Sequence, residues 1–507
     1  MKQVVVVLFV VCAGWMAFAA EKTIEKQSGP IQTAFLYAPT NTVIADVIPF
    51  FWNDEFHLLH LRLNPGQKGW DWAQIITRDF TAFKDAGVAI PGGRTDDAED
   101  FDIFTGSVLE KDGTLYAFYT GHNVKLKNQQ RSDQLILRAT SSDGVVWTKD
   151  PSFRFSPEGD SRYRQAGACR DSFVFRNPEK DEFGMIFTAT PANAPGGGAG
   201  YAGSKDLKSW RLDAALAASG RFPGYECPDL FRWGDRWYLL FSTYRENPGW
   251  ATRYMTAPSL EGPWESPVDD FFDGGSLYAA KSVSNGARRF LCGTLTRRTE
   301  KRDDDLNGWG GPILVYEMLR RDDGTLGVRI PPEVEESFGS AKNVMMTLSR
   351  QWVQTNSGVR CVEGPANQKM GKLPERCLFS MNITMPPTGR VGLWIGGDAQ
   401  GKQAFRLYVD VATQRLVWDR GNLPLGSDPG KERPYRPLKV RPGDRITLKV
   451  ALDGDSAVVC VNDATCLSTR IYDRRENTFG IWSDTIGAEF GNATLRASQE
   501  TKEKNIK

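Results

Sequence analysis

Residues 204–210 read SKDLKSW, and similar phrases occur at three other points of the chain: TRDFTAF at 77–83, SSDGVVW at 141–147 and a looser APSLEGPW at 257–264. The aspartates of the first three phrases are spaced by 64 and 63 residues, and an aromatic residue follows each of them four positions later. A repeat of this length among short strands is typical of radially arranged β units. Four copies, together with a last group of strands near 276–330, predict a five-bladed β-propeller.

The chain as a whole is predicted to be all-β. Its first two thirds alternate short apolar runs with Asp, Gly and Pro, as in FHLLHLRL (56–63), and contain no sustained 3.6-residue apolar period. Longer strands with tight turns then predict a C-terminal β-sandwich. We therefore expect a propeller domain over 21–335, the sandwich over 340–497 and a polar tail over 498–507.

The N-terminus has the form of a secretory signal peptide. It reads MKQVVVVLFVVCAGWMAFAA, with Lys2, an apolar run over 4–16, and small residues at Ala17 and Ala19. The run is too short to span a bilayer, and no later stretch reaches the roughly 18 apolar residues that a membrane helix needs. We expect residues 1–20 to be removed, the mature protein to be secreted or periplasmic, and no membrane span.

Composition and missing motifs exclude several function classes. A formal net charge of +1 gives no indication of a nucleic-acid partner. The chain contains no H-E-x-x-H, no G-x-S-x-G and no G-x-x-x-x-G-K, and no cysteine pair has C-x-x-C spacing. We therefore expect neither a metal nor an organic cofactor. Fifteen Trp and fourteen Tyr suit a carbohydrate partner as well as ordinary β packing.

Seven cysteines remain after removal of the signal peptide, an odd number that leaves at least one unpaired. Cys460 and Cys466 flank the turn of CVNDATC, where they could face each other across a hairpin.

Three acidic residues lie at similar points of the repeat. Asp46, Asp171 and Glu226 precede the repeated position of their own blades by 33, 35 and 33 residues, and each stands at the beginning of a strand. If those strands are innermost, the three carboxylates converge at one end of the axis. A single acid at a strand start more often caps a turn or pairs with an arginine. Three converging acids favour catalysis, because like charges in a shielded cleft separate a proton donor from an ionised carboxylate.

Five segments make the chain resemble glycoside hydrolase family 32, the β-fructosidases, from residue 40 to roughly residue 495. The segments occur in the same order as in that family. ECPDLF at 226–231 is similar to the family's acid/base motif, and ACRDSFVF at 168–175 is similar to its Arg-Asp-Pro motif. The other three similar segments are WAQIITRDF at 72–80, FTGS at 104–107 and GWGGPILVYEMLRRDDGTL at 308–326.

The resemblance implies a retaining glycoside hydrolase that cleaves β-fructofuranosyl linkages in sucrose or fructans. It makes Asp46 the nucleophile, Glu226 the general acid/base and Asp171 the transition-state stabiliser, with the first two carboxyl groups about 5 to 5.5 Å apart. The residues expected to bind the substrate are Trp72, Phe104, Thr105, His122, Arg170 and Trp309. For His122 and Trp309, ordinary blade packing is the alternative.

The chain also departs from the family pattern. ADVIPFFW at 45–52 stands where the family has Asn-Asp-Pro-Asn-Gly, and Ser172 replaces the proline of the Arg-Asp-Pro motif. All three acids are retained, but the preferred sugar is left open. The alternatives are an arabinofuranosidase-like or xylosidase-like enzyme of the five-bladed family 43, and a non-catalytic fructan-binding protein.

Overall fold

The computed structural model describes residues 31–129, 132–164, 168–244, 249–303, 307–398, 401, 404–419, 434–472 and 477–497. The predicted signal peptide and polar tail lie outside these ranges. Within them the chain is almost entirely β-strand, with one 3₁₀ helix, Val124–Gln129, and one short α-helix, Pro332–Glu336. No helix in this part of the chain is long and apolar enough to cross a membrane.

Five antiparallel sheets follow one another along the chain. The first sheet contains β1 (Ile31–Thr33), β2 (Val43–Trp52), β3 (Glu55–Leu63), β4 (Asp71–Thr77) and β5 (Ala82–Ile90). The second contains β6 (Asp102–Lys111), β7 (Thr114–His122), β8 (Gln134–Ser141) and β9 (Thr148–Lys149). The third contains β10 (Cys169–Asn177), β11 (Glu182–Ala189), β12 (Gly198–Ser204) and β13 (Arg211–Leu212).

The last two sheets vary this plan. The fourth contains β14 (Glu226–Trp233), β15 (Arg236–Thr243) and β16 (Ala251–Ala257), and two isolated bridges, Thr256 with Glu265 and Arg253 with Phe271, occupy its outer edge. The fifth contains β17 (Leu277–Ser284), β18 (Arg289–Leu295), β21 (Ile313–Arg320) and β22 (Leu326–Arg329). Between β18 and β21 the chain forms a separate two-stranded sheet, β19 (Arg297–Arg298) and β20 (Asn307–Gly308).

The five sheets close into a ring. Their innermost strands β2, β6, β10, β14 and β17 contact one another in this order, and β17 contacts β2. The N-terminal segment reinforces this junction, because Tyr37 forms a bridge with Ile313 of β21 through hydrogen bonds of 3.2 and 2.9 Å. The predicted five-bladed propeller is confirmed, and each sheet is one blade.

The repeated phrase forms the turn after the third strand of a blade. In the third blade, the Ser204 hydroxyl accepts the backbone N–H of Leu207 at 2.9 Å, and Asp206 accepts the N–H groups of Lys208 and Ser209 at 2.8 Å. Such side-chain to backbone bonds stabilise a tight turn. The aromatic residue that follows, Trp210, packs against the preceding blade. The phrase therefore encodes both a turn and a contact between blades.

The C-terminal region is a sandwich of two antiparallel sheets, as predicted. One sheet holds eight strands: β23 (Lys342–Asn343), β24 (Trp352–Gln354), β25 (Val359–Cys361), β27 (Arg376–Thr384), β32 (Arg445–Asp453), β33 (Ser456–Val461), β34 (Thr465–Arg470) and β36 (Glu489–Ala497). The other holds six: β26 (Ala366–Lys372), β28 (Arg390–Ile395), β29 (Phe405–Asp410), β30 (Arg415–Asp419), β31 (Tyr435–Pro437) and β35 (Thr478–Ser483). Cys460 and Cys466 lie opposite each other on β33 and β34 and form a disulfide.

The sandwich packs against the fifth blade through buried polar contacts. Asp273, just ahead of β17, accepts the backbone N–H of Ser468 on β34 at 3.0 Å and the hydroxyl of Tyr316 on β21 at 3.0 Å. Burial raises the pKa of Asp273, whereas these hydrogen bonds oppose the rise. A buried carboxyl that is satisfied from both domains fixes the fifth blade relative to the sandwich.

Trp210 provides a test of the contact between blades. Its indole meets Phe118 and Phe155 at ring-centroid distances of 5.8 and 6.5 Å, so Trp210→Ala is expected to lower the free energy of unfolding by about 2 kcal/mol. Thermal unfolding followed by circular dichroism measures the change. Trp210→Phe keeps an aromatic ring in the gap and should lose less than half as much; equal losses in the two variants would contradict this role of the ring.

Candidate active site

The ladder between the first and second strands of every blade is interrupted at the same place. The irregularity falls between Ala45 and Val47, Phe104 and Gly106, Arg170 and Phe173, Glu226 and Asp229, and Tyr278 and Lys281. At each of these bulges the inner strand carries one residue more than its partner. A bulge bends the strand and re-aims a side chain. Five bulges at one level of the ring therefore direct side chains towards the axis.

Four residues within these bulges have left-handed backbone conformations: Asp46 (φ 33°), Asp171 (φ 59°), Cys227 (φ 49°) and Ala279 (φ 52°). Residues other than glycine adopt such angles rarely, and they are enriched at functional sites. Glu226 directly precedes the left-handed residue of its blade, so it corresponds in position to Arg170 and not to Asp171. The prediction that the three acids occupy equivalent positions in their blades is therefore off by one residue at Glu226.

Asp46 is deeply buried and surrounded by uncharged donors. Thr105 donates its hydroxyl to Asp46 Oδ2 at 2.5 Å, and the Trp309 indole donates to Oδ1 at 2.7 Å. The thiol of Cys227 lies 3.7 Å from Oδ2. Burial raises the pKa of Asp46 to about 6, although the two stronger hydrogen bonds act in the opposite direction.

Asp171 is also buried, but a cation lies beside it. Its Oδ2 atom accepts the backbone N–H of Cys227 at 3.0 Å and lies 3.4 Å from Nε of Arg170. Burial raises the pKa of Asp171, and the Arg170 guanidinium opposes that rise. Asp171 therefore has an oriented carboxylate at the centre of the ring.

Glu226 has more contact with solvent, because 20% of its side chain is exposed. Arg170 Nη2 donates to Glu226 Oε1 at 2.7 Å, and the Tyr278 hydroxyl donates to Oε2. These two groups hold the Glu226 carboxyl at the edge of the ring that the five bulges form. Arg170 thus connects Glu226 with Asp171.

The three acids line one pocket of about 250 Å³ at this end of the axis. Of the residues predicted to bind substrate, Phe104, Arg170 and Trp309 also line it. Aromatic rings beside carboxylates and a guanidinium form a surface suited to a polyhydroxylated ring, whose C–H face stacks and whose hydroxyls bond.

Three other predicted binding residues lie behind this surface. Trp72 is fully buried and donates its indole N–H to the carbonyl oxygen of Phe104 at 3.0 Å, so it supports the pocket and does not line it. His122 stacks on the far side of Phe104 at 4.7 Å, and Thr105 contacts Asp46 from below. The placement of these side chains depends on strand pairing, which a motif comparison does not contain.

The structure adds five lining residues that the sequence prediction missed: Gln134, Cys227, Tyr244, Trp250 and Tyr278. Tyr278 stands in the fifth blade at the position that Glu226 holds in the fourth. The fifth blade lacks the repeated phrase, so no count from a phrase could have located this position. For Cys227, the position next to Glu226 in the sequence was the one feature that could have indicated a place in the pocket.

Within the ranges that the structure describes, no group of His, Cys, Asp and Glu side chains is arranged to hold a metal ion. The carboxyl groups that line the pocket can carry out acid–base and nucleophilic chemistry. Asp46 and Glu226 differ in burial and in the charge of their partners. Such a difference separates the roles of two carboxyls.

Family models match almost the whole described chain. The model of the glycosyl hydrolases family 32 N-terminal domain matches residues 38–326, and that of the glycosyl hydrolases family 32 C-terminal region matches residues 349–497.

Individual proteins agree with this match. A sucrose-6-phosphate hydrolase of Escherichia coli is 26% identical over 482 residues, which cover 90% of this chain and 93% of the relative. A raffinose invertase of Escherichia coli is 26% identical over 448 residues, covering 84% and 86%. The solved structure of sucrose-6-phosphate hydrolase from Lactobacillus gasseri superposes with a TM-score of 0.71 at 16% identity, covering 92% of this chain and 93% of that one.

The raised pKa of Asp46 predicts a pH-dependent effect on stability. The carboxyl ionises near pH 4 in the unfolded chain and near pH 6 in the folded protein, so it favours folding less as the pH rises through 6. Asp46→Asn removes this titration. The variant should gain about 1 kcal/mol more stability over the native protein at pH 7.5 than at pH 5.

Thermal unfolding of both proteins at the two pH values measures this difference. Asp79→Asn, at an exposed turn, is the matched control and should show no such dependence. A gain for Asp46→Asn that is the same at both pH values would show that Asp46 is already ionised at pH 5 in the folded protein.

Proposed function

The chain belongs to glycoside hydrolase family 32, and from that premise we propose that it hydrolyses β-fructofuranosyl linkages of sucrose or a fructan with retention of configuration. One observation carries the proposal: two carboxyls, the buried Asp46 and the partly exposed Glu226, line the same pocket. This family's reaction needs a nucleophile and a proton donor in one pocket. The similarity of ECPDLF to the family's acid/base motif assigns the proton donor to Glu226 and leaves Asp46 as the nucleophile.

The first step forms a covalent intermediate. The ionised Asp46 carboxylate attacks the anomeric C2 of the fructosyl unit, and the bond from C2 to the leaving oxygen breaks. Glu226 transfers its proton to that oxygen, so that the leaving sugar departs as a neutral alcohol. Glu226 can take this role because it lines the pocket and part of its side chain is exposed.

The second step releases fructose. Glu226, now ionised, removes a proton from a water molecule, and the resulting hydroxide attacks C2 and breaks the bond to Asp46. The Asp46 carboxylate and the protonated Glu226 are thereby regenerated. Another sugar in place of water would give transfer by the same route.

Asp171 and Arg170 hold the fructosyl unit. The Asp171 carboxylate lines the same pocket as the other two acids and can accept hydrogen bonds from sugar hydroxyls. These bonds strengthen as positive charge develops on the ring in the transition state. Arg170 contacts both Asp171 and Glu226, so it keeps the two carboxylates in a fixed relation.

The enzyme acts outside the cytoplasm. The support for this part of the proposal is the N-terminal sequence, in which Lys2, the apolar run over 4–16 and Ala17 and Ala19 fit a secretory signal.

Activity measurements test the assignment of the two carboxyls. The native protein should release fructose from at least one of sucrose, sucrose 6-phosphate, inulin and levan, and not from arabinan or xylan. Asp46→Asn and Glu226→Gln should each lower turnover by a factor of about 10³ or more. If the native protein releases nothing and both variants keep the native affinity for a fructan, the chain is a binding protein.

A substrate with an activated leaving group separates the two roles. With p-nitrophenyl β-fructofuranoside, Glu226→Gln should still form the covalent intermediate, because nitrophenolate leaves without a proton. Added azide should then restore turnover by attacking that intermediate. Asp46→Asn is the matched control and should not respond to azide. Rescue of Asp46→Asn in place of Glu226→Gln would reverse the assignment.

The pH dependence of the native enzyme follows from Asp46. Only the ionised nucleophile attacks, and burial raises the pKa of Asp46 to about 6, so kcat/KM should rise with pH through about 6 on its acid side. Initial rates at low substrate concentration between pH 4 and pH 8 measure this rise, the acid limb of the pH profile. An acid limb near pH 4 would show that substrate-free Asp46 is not held in the environment described above.

A further inference from the structure

A second ring of residues lies directly below the five bulges. It consists of the first paired residue after each bulge: Val47, Gly106, Phe173, Asp229 and Lys281. Lys281 is the one cation of this ring. Only 1% of its surface is exposed, which is unusual for a lysine because a buried ammonium loses its hydration.

The Lys281 side chain reaches across the axis to the second blade. Its ammonium group donates a hydrogen bond to the carbonyl oxygen of Gly106 at 2.7 Å and lies 5.5 Å from the ring centre of Phe173. Gly106 directly follows Thr105, whose hydroxyl donates to Asp46. Lys281 therefore holds the strand segment that orients the proposed nucleophile.

The charges of the site make this cation significant. Arg170 is engaged with Glu226 at 2.7 Å and with Asp171 at 3.4 Å. The hydrogen-bond partners of Asp46 are a hydroxyl, an indole and a thiol, all of them neutral. Three carboxylates thus converge with one guanidinium, and the second positive charge beneath them is that of Lys281.

We propose that Lys281 is a positioning residue for the hydrolysis, whose ammonium group stabilises the ionised carboxylates of Asp46 and Asp171 from below. The proposal rests on the function proposed above. Lys281 is not among the residues that line the pocket, so it acts through the two aspartates.

The titratable groups that face Lys281 come from three other blades. They are Asp46 of the first blade, Asp171 of the third, and Cys227 and Asp229 of the fourth. Beyond them, Arg170 lies beside Asp171 and binds Glu226. Burial lowers the pKa of Lys281, and these four nearer groups oppose the decrease. In return, the charge of Lys281 lowers the pKa of Asp171 against the effect of burial.

Two substitutions separate the charge from the hydrogen bond. Lys281→Gln removes the charge but keeps an N–H donor for the Gly106 carbonyl, whereas Lys281→Met removes both. Arg289→Met is the matched control. Arg289 is a half-buried cation on the neighbouring strand of the same blade, it stacks on Phe231 at 3.9 Å, and its acidic neighbour is Asp229.

The pH profile of kcat/KM for fructose release distinguishes the outcomes. Both Lys281 variants should have an acid limb displaced to higher pH, with kcat/KM about tenfold below native at pH 5 and within about twofold of native at pH 8. Arg289→Met should keep the native limb. Unchanged limbs in both Lys281 variants would overturn the proposal, and so would a pH-independent loss confined to Lys281→Met, which indicates a structural hydrogen bond.

Stability measurements keep the proposal testable if no fructosyl substrate is cleaved. Lys281→Gln should lose more thermal stability than the native protein between pH 5 and pH 8, because the carboxylates that ionise in this range have lost a counter-charge. When Asp46→Asn is also present, the additional loss of thermal stability caused by Lys281→Gln should be smaller. An additional loss that is the same with and without Asp46→Asn would refute coupling to Asp46, whereas inactivity of the native protein alone refutes only the proposed hydrolysis.

Discussion

The site depends on one backbone feature, the extra residue that interrupts the innermost strand of every blade. A regular strand would alternate its side chains between the two faces of its own sheet. The bulge instead turns one residue towards the axis, and at Asp46 and Asp171 that residue adopts a left-handed conformation that costs on the order of 1 kcal/mol. The paired ladder that follows the bulge, with six residue pairs after Asp46 and five after Asp171, retains this conformation.

The same feature gives the two proposed catalytic carboxyls different surroundings. Asp46 projects from the bulge towards the axis, where it is buried and its hydrogen-bond partners are neutral. Glu226 stands one residue before the bulge of its blade, so it lies at the rim between a guanidinium and a phenol. A shift of one residue along a strand thus separates a desolvated carboxyl from a partly exposed one. The difference between the two acids originates in backbone geometry.

The sequence predicted the features that are encoded locally. The phrase exemplified by SKDLKSW forms its turn through its own serine and aspartate, so its recurrence revealed the blades without any knowledge of their packing. The convergence of Asp46, Asp171 and Glu226 followed from the same count. The offset of Glu226 could not be predicted, because a bulge is defined by the pairing between strands.

Features that depend on packing were also beyond the sequence. Trp72 was predicted to line the pocket, yet its indole lies behind Phe104, since the pairing of β3 with β4 turns that side chain inward. Tyr278 and Lys281 belong to a blade that has no copy of the phrase. Their roles become visible only when the ring is closed and the fifth blade lies beside the first.

The closure of the ring also explains the glycines of GWGG at 308–311. A Cβ atom on Gly310 would lie 2.5 Å from the carbonyl oxygen of Ile44, and one on Gly311 would lie 1.9 Å from that of Leu295. The backbone after Trp309 can therefore pass against β2 only because these side chains are absent, and Gly311 donates its N–H to Ile44 at 2.9 Å. Ile44 is two residues before Asp46. The contact that seals the fifth blade to the first is thus the one that brings the Trp309 indole to the Asp46 carboxylate.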